Sequence, residues 1–313
     1  MLRSQLPDWS GLGSELLEAI GESEKKTYGA VMNSFSELDQ DYVEYLRDKL
    51  GVKAWSLGPV SLWMNKDYSD RAERGQTIIN TGTEHYSYDN LLNWLNSKDH
   101  NSVLYVSFGS LTRFRTTQLV EIAHGLEASG HPFIWVVRTK ENDDDDEEES
   151  KVFIESFEER VKDNKRCLII REWAPQVLIL EHPAIGGVVT HCGWNSILEA
   201  VTAGLPMITW PLFAEQFYNE KFLTEVVRVG VSVGVKRWSF DWWHMEKEVV
   251  VKREEIEKAV RFLMGGEEEE ALEMRKRVKK ISEAAKMAVE SGGSSQCNLT
   301  ALINELRSLK IRY

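Results

Sequence analysis

The 313-residue chain has only three cysteines, Cys167, Cys192 and Cys297, widely separated in sequence. That count and spacing exclude a disulfide framework and a cysteine-ligated zinc site, so all three read as free thiols. Positive charge is also short, because 38 Lys and Arg face 50 Asp and Glu and leave a formal net charge of −12. Nucleic acid and anionic membrane surfaces both require a concentrated basic face, and neither is expected as a partner. No apolar run approaches the roughly 18 residues of a membrane span, and the first residues lack the cationic-then-apolar pattern of a signal peptide. The cytoplasm is the expected compartment. What the chain does have is 42% hydrophobic residues, enough for a substantial core. Its length permits two domains on the usual scale of roughly 100–200 residues.

Periodicity divides the chain into segments. Residues 12–22 and 38–49 read as helices, with strand-like stretches near 29–35 and 54–60. Polar residues from about 64 to 88 read as a linker, and Leu91–Leu95 opens a new domain. Residues 102–108 form an apolar run that predicts a buried strand, followed by a helix with Leu119, Ile122, Ala123 and Leu126 on one face. Strand and helix then alternate to about residue 235, which predicts an α/β domain with a parallel sheet, right-handed crossovers and a ligand at the carboxyl ends of its strands. Residues 254–264, 271–289 and 297–309 read as helices. The resulting division is 1–60, a linker over 61–90, a domain over 91–285, and a last helix over 286–313.

The richest stretch is 173–216, WAPQVLILEHPAIGGVVTHCGWNSILEAVTAGLPMITWPLFAEQ. It holds two strand-turn-helix units. The run Gly187–Thr190 enters a turn at His191-Cys192-Gly193-Trp194-Asn195-Ser196 and then a helical pattern over Ile197–Ala203, with the helix start at Asn195 or Ser196. Such a helix start stabilises an anion without any lysine, through its unpaired N–H groups and the positive end of its dipole. Phosphate is the obvious candidate. His191, Asn195 and Ser196 add side-chain donors, and Gly193 allows close approach. Glu199, one turn on, can accept both hydroxyls of a ribose. Trp173 offers a flat face for a base and Gln176 an amide for its sugar. The second unit delivers Glu215 and Gln216 to the next helix start, a pair suited to a hydroxyl-rich ligand.

Taken whole, this block resembles the signature box of plant UDP-dependent glycosyltransferases, a family with two Rossmann-like domains in the GT-B arrangement. The resemblance is gapless over all 44 positions. It extends to Tyr105–Ser110, Ile134–Arg138, the C-terminal helices and Gln5-Leu6-Pro7-Asp8-Trp9. It implies that Trp173, Ala174 and Gln176 hold uracil and ribose, and that Glu199 binds the ribose diol. His191, Asn195 and Ser196 would hold the diphosphate, with Ser110 and Gly193 in the same UDP-sugar site, and Trp194, Glu215 and Gln216 the sugar. Gln216 at the end of the box goes with glucose. The subgroup it looks most like acts on triterpenoid and flavonoid hydroxyls.

The resemblance further implies one complete donor domain of the GT-B type, with residues 1–60 the tail of an acceptor domain and the last helix crossing back toward it. The catalytic histidine, its orienting aspartate and most of the acceptor pocket are expected outside these 313 residues. The implied reaction is an inverting transfer from UDP-glucose to a small hydroxylated acceptor, by a monomer, with no cofactor or metal. The alternative is a catalytically inactive UDP-binding fragment. A dinucleotide-dependent oxidoreductase ranks third, because no Gly-x-Gly-x-x-Gly follows the first strand.

Several features carry plainer readings. The acidic run 143–149 contains Asp-x-Asp, yet consecutive like charges repel, and it is expected to be a solvated loop rather than a metal site. Gly130-His131-Pro132 mimics the family's catalytic pair but lies inside the donor domain. Asn298-Leu299-Thr300 is a glycosylation sequon on a predicted helix. Trp238, Trp242 and Trp243 line an acceptor mouth or form a buried cluster. Trp210 and Pro211 shape a turn, and His182 either packs or caps.

Overall fold

The computed structural model describes residues 1–7, 14–64, 88–137, 145–162, 166–171, 173–238, 250–266 and 268–310. In chain order the first elements are α1 (Ser14–Lys26), β1 (Ala30–Met32), α2 (Ser36–Leu50), β2 (Ala54–Ser56) and α3 (Val60–Met64). After the undescribed stretch 65–87, where the expected linker falls, come α4 (Tyr88–Asn96), β3 (Val103–Ser107), α5 (Thr116–Ser129), β4 (Phe133–Val136), α6 (Asp145–Lys162) and β5 (Cys167–Ile170). The box then folds as α7 (Gln176–Leu180), β6 (Ile185–Thr190), α8 (Trp194–Ala203) and β7 (Met207–Thr209), and its last residue opens α9 (Gln216–Lys221). A π-helical turn, Phe222–Val226, leads to β8 (Gly230–Ser232), and α10 (Arg253–Met264), α11 (Glu269–Ala288) and α12 (Ser294–Lys310) close the chain.

These elements form two compact units, one of Met1–Asp8 with Arg71–Val278 and one of Trp9–Asp70 with Lys279–Tyr313. The smaller unit pairs β1 and β2 in parallel, with Val31 opposite Trp55. There α12 is tied to the strand layer, since Asn298 Nδ2 donates to the Ser56 carbonyl at 3.0 Å and the Ser295 hydroxyl donates to the Gly58 carbonyl at 2.5 Å. The Asn298 bond engages one hydrogen of the amide nitrogen that the sequon would offer for glycosylation.

The larger unit has the expected α/β class of fold. Its six strands are all parallel and run in the order β5-β4-β3-β6-β7-β8. The strands are apolar almost throughout because helices cover both faces, and all six residues of β6 are buried. Leu119, Ile122, Ala123 and Leu126 turn one stripe of α5 inward, each 2% exposed or less. α10 packs on α5 where Gly125 leaves room for Ile256, and the segment leading into it is held by the buried Gln118. Its Oε1 accepts from the Val250 and Val251 amides at 2.8 and 3.1 Å, and its Nε2 donates to the Val251 carbonyl at 2.8 Å.

The acidic run departs from expectation. From Asp145 onward it is the first turn of α6, with Glu148 and Glu149 exposed, while residues 143 and 144 lie outside the described part. Acids at a helix N-terminus meet the positive end of the dipole, which offsets the mutual repulsion that argued for a loop. α8 also starts slightly early, at Trp194 rather than Asn195 or Ser196. Among the described residues no helix is long and apolar enough to cross a membrane.

Candidate functional site

β3 pairs with both β4 and β6, so Tyr105 lies between Ile134 and Val188. Chain direction across the sheet reverses there, since β4 and β5 build outward on one side and β6, β7 and β8 on the other. In open parallel sheets a ligand crevice forms at such a reversal, outside the carboxyl ends of the strands. The segments that leave those ends are Phe108-Gly109-Ser110 after β3 and His191-Cys192-Gly193 after β6.

The two segments touch at His191. A Cβ placed on Gly109, whose φ is +78°, would come within 2.8 Å of the imidazole Cε1, and one on Gly193 would collide with Nε2. The ring therefore occupies space that only two glycines leave open. Its Nδ1 is buried without a hydrogen-bond partner, and burial holds its pKa down at about 4 against an ordinary value of 6.5. At neutral pH it is an uncharged imidazole with one donor and one acceptor nitrogen.

Beyond His191, Cys192 takes a left-handed conformation with φ +65°, and its N–H donates to the Thr190 hydroxyl at 3.2 Å. That bend turns the chain from the sheet into α8. Gly193 is the N-cap and has no side chain with which to cap the first-turn amides. The positive end of the α8 dipole, at Trp194, Asn195 and Ser196, is suited to an anion.

A second cluster adjoins the first turn of α8. The Gln176 amide, at the start of α7, donates to Glu199 Oε2 at 2.6 Å and to the Ser196 hydroxyl at 3.4 Å, and Gln176 Oε1 accepts from the Tyr105 hydroxyl at 3.1 Å. Gln176, Ser196 and Glu199 are thus brought together, with Tyr105 as a member that sequence reading did not single out. Ala174 is buried and its carbonyl accepts from the Gln176 amide at 2.8 Å. Trp173 stands 40% exposed, and Ser110 and Asn195 are exposed as well.

The sugar-side candidates are arranged differently. Glu215 is exposed and its Oε1 accepts from Asn219 Nδ2 at 3.3 Å. Gln216 is 3% exposed, and its carbonyl oxygen accepts from the Leu212 and Phe213 amides at 2.9 and 3.1 Å. It closes the turn after β7, leaving its NH₂ group as the part suited to a ligand. Trp194 packs its ring against Phe222 at 6.0 Å between centroids. Trp210 is buried at the same turn, edge-on to Phe108 at 5.2 Å, and its backbone N–H donates to the Thr190 carbonyl at 2.9 Å. Two further residues went unmarked in the sequence. Asn219 and Glu220 follow Gln216 by three and four positions, a helical spacing that is the signal for them. Glu220 is buried, and Thr209 and Ser232 both donate to its Oε1, at 2.9 and 2.7 Å.

The remaining candidates lie elsewhere. His131 precedes β4, at the amino end of a parallel strand, whereas His191 follows β6 at the carboxyl end, so the two stand at opposite edges of the sheet. His182 closes the turn before β6, as its Nδ1 accepts from the Ala184 backbone amide at 3.2 Å. Trp238 is buried and donates from Nε1 to the Ala214 carbonyl at 3.0 Å, while Trp242 and Trp243 lie outside the described residues.

Comparison with known proteins adds an independent line. The soyasapogenol B glucuronide galactosyltransferase of Glycine max is 51% identical over 314 residues, covering 99% of this chain and 61% of that protein. The UDP-glucose flavonoid 3-O-glucosyltransferase 7 of Fragaria ananassa is also 51% identical, with the same coverage of each chain. The crystal structure of Glycyrrhiza uralensis UGT73P12 complexed with glycyrrhetinic acid 3-O-monoglucuronide superposes with a TM-score of 0.89 at 52% identity, over 100% of this chain and 61% of that one. The chain therefore spans about 61% of the length of the relatives it matches. A family model described as UDP-glucoronosyl and UDP-glucosyl transferase matches residues 78–254, which hold the whole box and both clusters. The chain belongs to the UDP-glucoronosyl and UDP-glucosyl transferase family.

Proposed function

We propose that this chain carries the donor site of an inverting UDP-sugar-dependent glycosyltransferase, with UDP-glucose as donor and hydroxyls of plant metabolites such as flavonoids and triterpenoids as acceptors. Uracil stacks on Trp173 beside Ala174, and the ribose diol is held by Glu199 with Gln176. The diphosphate sits at the start of α8, with donors from His191, Asn195, Ser196 and Ser110 and room left by Gly193. The sugar meets Trp194, Glu215 and the Gln216 amide.

The observation that carries this reading is the Gln176–Glu199 hydrogen bond of 2.6 Å, which holds a carboxylate one turn into a helix whose N-terminus suits phosphate. Support for glucose comes from Gln216 and from the flavonoid glucosyltransferase relative. In the reaction, an acceptor hydroxyl gives up its proton to a general base and attacks the anomeric carbon as the bond to UDP breaks, and negative charge collects on the departing diphosphate. The α8 dipole and the neutral His191 N–H are preorganised to stabilise that charge. The proposal assigns no base within the chain, and His131 is unsuited to the role at the far edge of the sheet.

Calorimetric titration with UDP tests the reading. Binding is expected at micromolar to millimolar concentration, and a folded sample that gives no heat with millimolar UDP would refute it.

A further inference from the structure

We infer that Asn219 is a positioning residue that keeps the sugar side of the site in register with the diphosphate side, an inference that rests on the donor-site reading above. α9 is six residues long, and three of its side chains anchor it. Gln216 ties it to the preceding turn through the Leu212 and Phe213 amides. Glu220 ties it to β7 and β8 through Thr209 and Ser232. Of the three, only Asn219 reaches across to the segment that follows β6. Its Nδ2 donates to the Cys192 carbonyl at 2.9 Å and to Glu215 Oε1 at 3.3 Å, so both amide hydrogens are engaged.

Each of those bonds has a distinct consequence. Cys192 holds a left-handed backbone between His191 and Gly193. Because a peptide unit is planar, fixing the Cys192 carbonyl also fixes the direction of the Gly193 N–H on its opposite side. The second bond restrains an otherwise exposed carboxylate. With Oε1 held by Asn219, Glu215 keeps Oε2 to accept from sugar hydroxyls, and its rotamer is set before ligand arrives. One amide therefore links the geometry of the phosphate turn to that of the sugar carboxylate. A residue that served stability alone would have no bearing on which sugar binds.

The test compares affinities for UDP, UDP-glucose and UDP-galactose by calorimetry in the wild-type chain, Asn219→Ala and Asn219→Asp, with folding checked by circular dichroism. The aspartate keeps the shape but sets an acceptor against two acceptors, so both bonds are lost and Glu215 is repelled. UDP affinity is expected to fall, because the lost Cys192 bond frees the Gly193 N–H beside the diphosphate, but to fall less than UDP-glucose affinity, which also loses the restraint on Glu215. The ratio of UDP-glucose to UDP affinity should fall about tenfold, and the glucose-to-galactose ratio should move toward one, more in Asn219→Asp than in Asn219→Ala. Ratios that stay unchanged, or affinities for UDP and UDP-glucose that fall in parallel, would overturn the inference while leaving the donor site standing. Failure of the wild-type chain to bind UDP would remove the donor-site reading and this inference with it. Hydrogen exchange on the wild-type chain decides the matter if neither variant folds. UDP-glucose should protect residues 214–221 beyond the protection given by UDP, and equal protection by the two ligands counts against the role.

Discussion

Gln176 and Glu199 lie 23 positions apart, on α7 and α8, and their side chains meet at 2.6 Å. The amide leaves the carboxylate little freedom to rotate, so a diol arriving at Glu199 meets an acceptor already in place. Glu199→Ala is expected to weaken UDP binding by roughly 1.5–3 kcal/mol, about ten- to 150-fold, the range for hydrogen bonds to a charged group. Calorimetry measures it, and an unchanged affinity would move the ribose elsewhere.

The buried His191 imidazole predicts a loss of stability in acid. Its folded pKa of about 4 lies below the ordinary 6.5, so the unfolded chain takes up the proton first. Its contribution is fully present above about pH 6.5 and is lost as pH falls toward 4, by up to roughly 3 kcal/mol. Urea denaturation of wild type and His191→Gln isolates this residue from other titrating groups. The stability of the wild type relative to the variant should decline between pH 7 and pH 4.5, and parallel curves would show that the imidazole is not buried in this way.

Glu220 should show the opposite sign. Burial raises its carboxyl pKa above the ordinary 4.5, against the lowering effect of the Ser232 and Thr209 hydroxyls. The protonated form is the one the fold favours, so its contribution is complete below about pH 4.5 and is lost as pH rises through the raised folded value. Glu220→Gln keeps the accepting oxygen without the charge. It should gain on wild type as pH rises from 4 to 8, whereas Glu220→Ala should cost roughly 2 kcal/mol or more by removing the shared acceptor of the Thr209 and Ser232 hydroxyls and leaving a cavity. Chemical denaturation at several pH values distinguishes these outcomes.

On the donor site proposed above, sugar choice would rest with Glu215 and the Gln216 amide, with Trp194 beside them. Glucose and galactose differ in the direction of one hydroxyl, and a site built to hydrogen-bond that group leaves a partner unsatisfied when the wrong epimer enters. UDP-glucose should bind more tightly than UDP-galactose in direct competition. Equal affinities would remove the assigned preference, and reversed ones would transfer it to galactose, the sugar named for the Glycine max relative.

Much of this molecule was legible before folding. Apolar runs bounded by glycine and proline marked β3 and β6, and the 3.6-residue spacing of Leu119, Ile122, Ala123 and Leu126 marked the buried face of α5. Those signals are local, since burial on a strand or a helix face imprints its period directly on the residues concerned. The acidic run at the start of α6 was not legible, because like-charge repulsion and attraction to a helix dipole make opposite predictions from the same residues.

The sequence by itself determined which chemical groups are available: the histidine, the glycine beside it, the amide and carboxylates of the box, and a helix start suited to an anion. Only the tertiary structure decided how they combine. Parallel pairing of β3 with β6 brings Gly109 against His191, 82 positions further along the chain, and the resulting burial, rather than any neighbour in sequence, makes that imidazole neutral. Likewise the turn after β7 draws the Gln216 carbonyl into its own backbone, and the left-handed bend at Cys192 brings its carbonyl to Asn219. Hydrogen bonds and desolvation depend on distances between atoms, and for residues far apart in the chain the fold sets those distances.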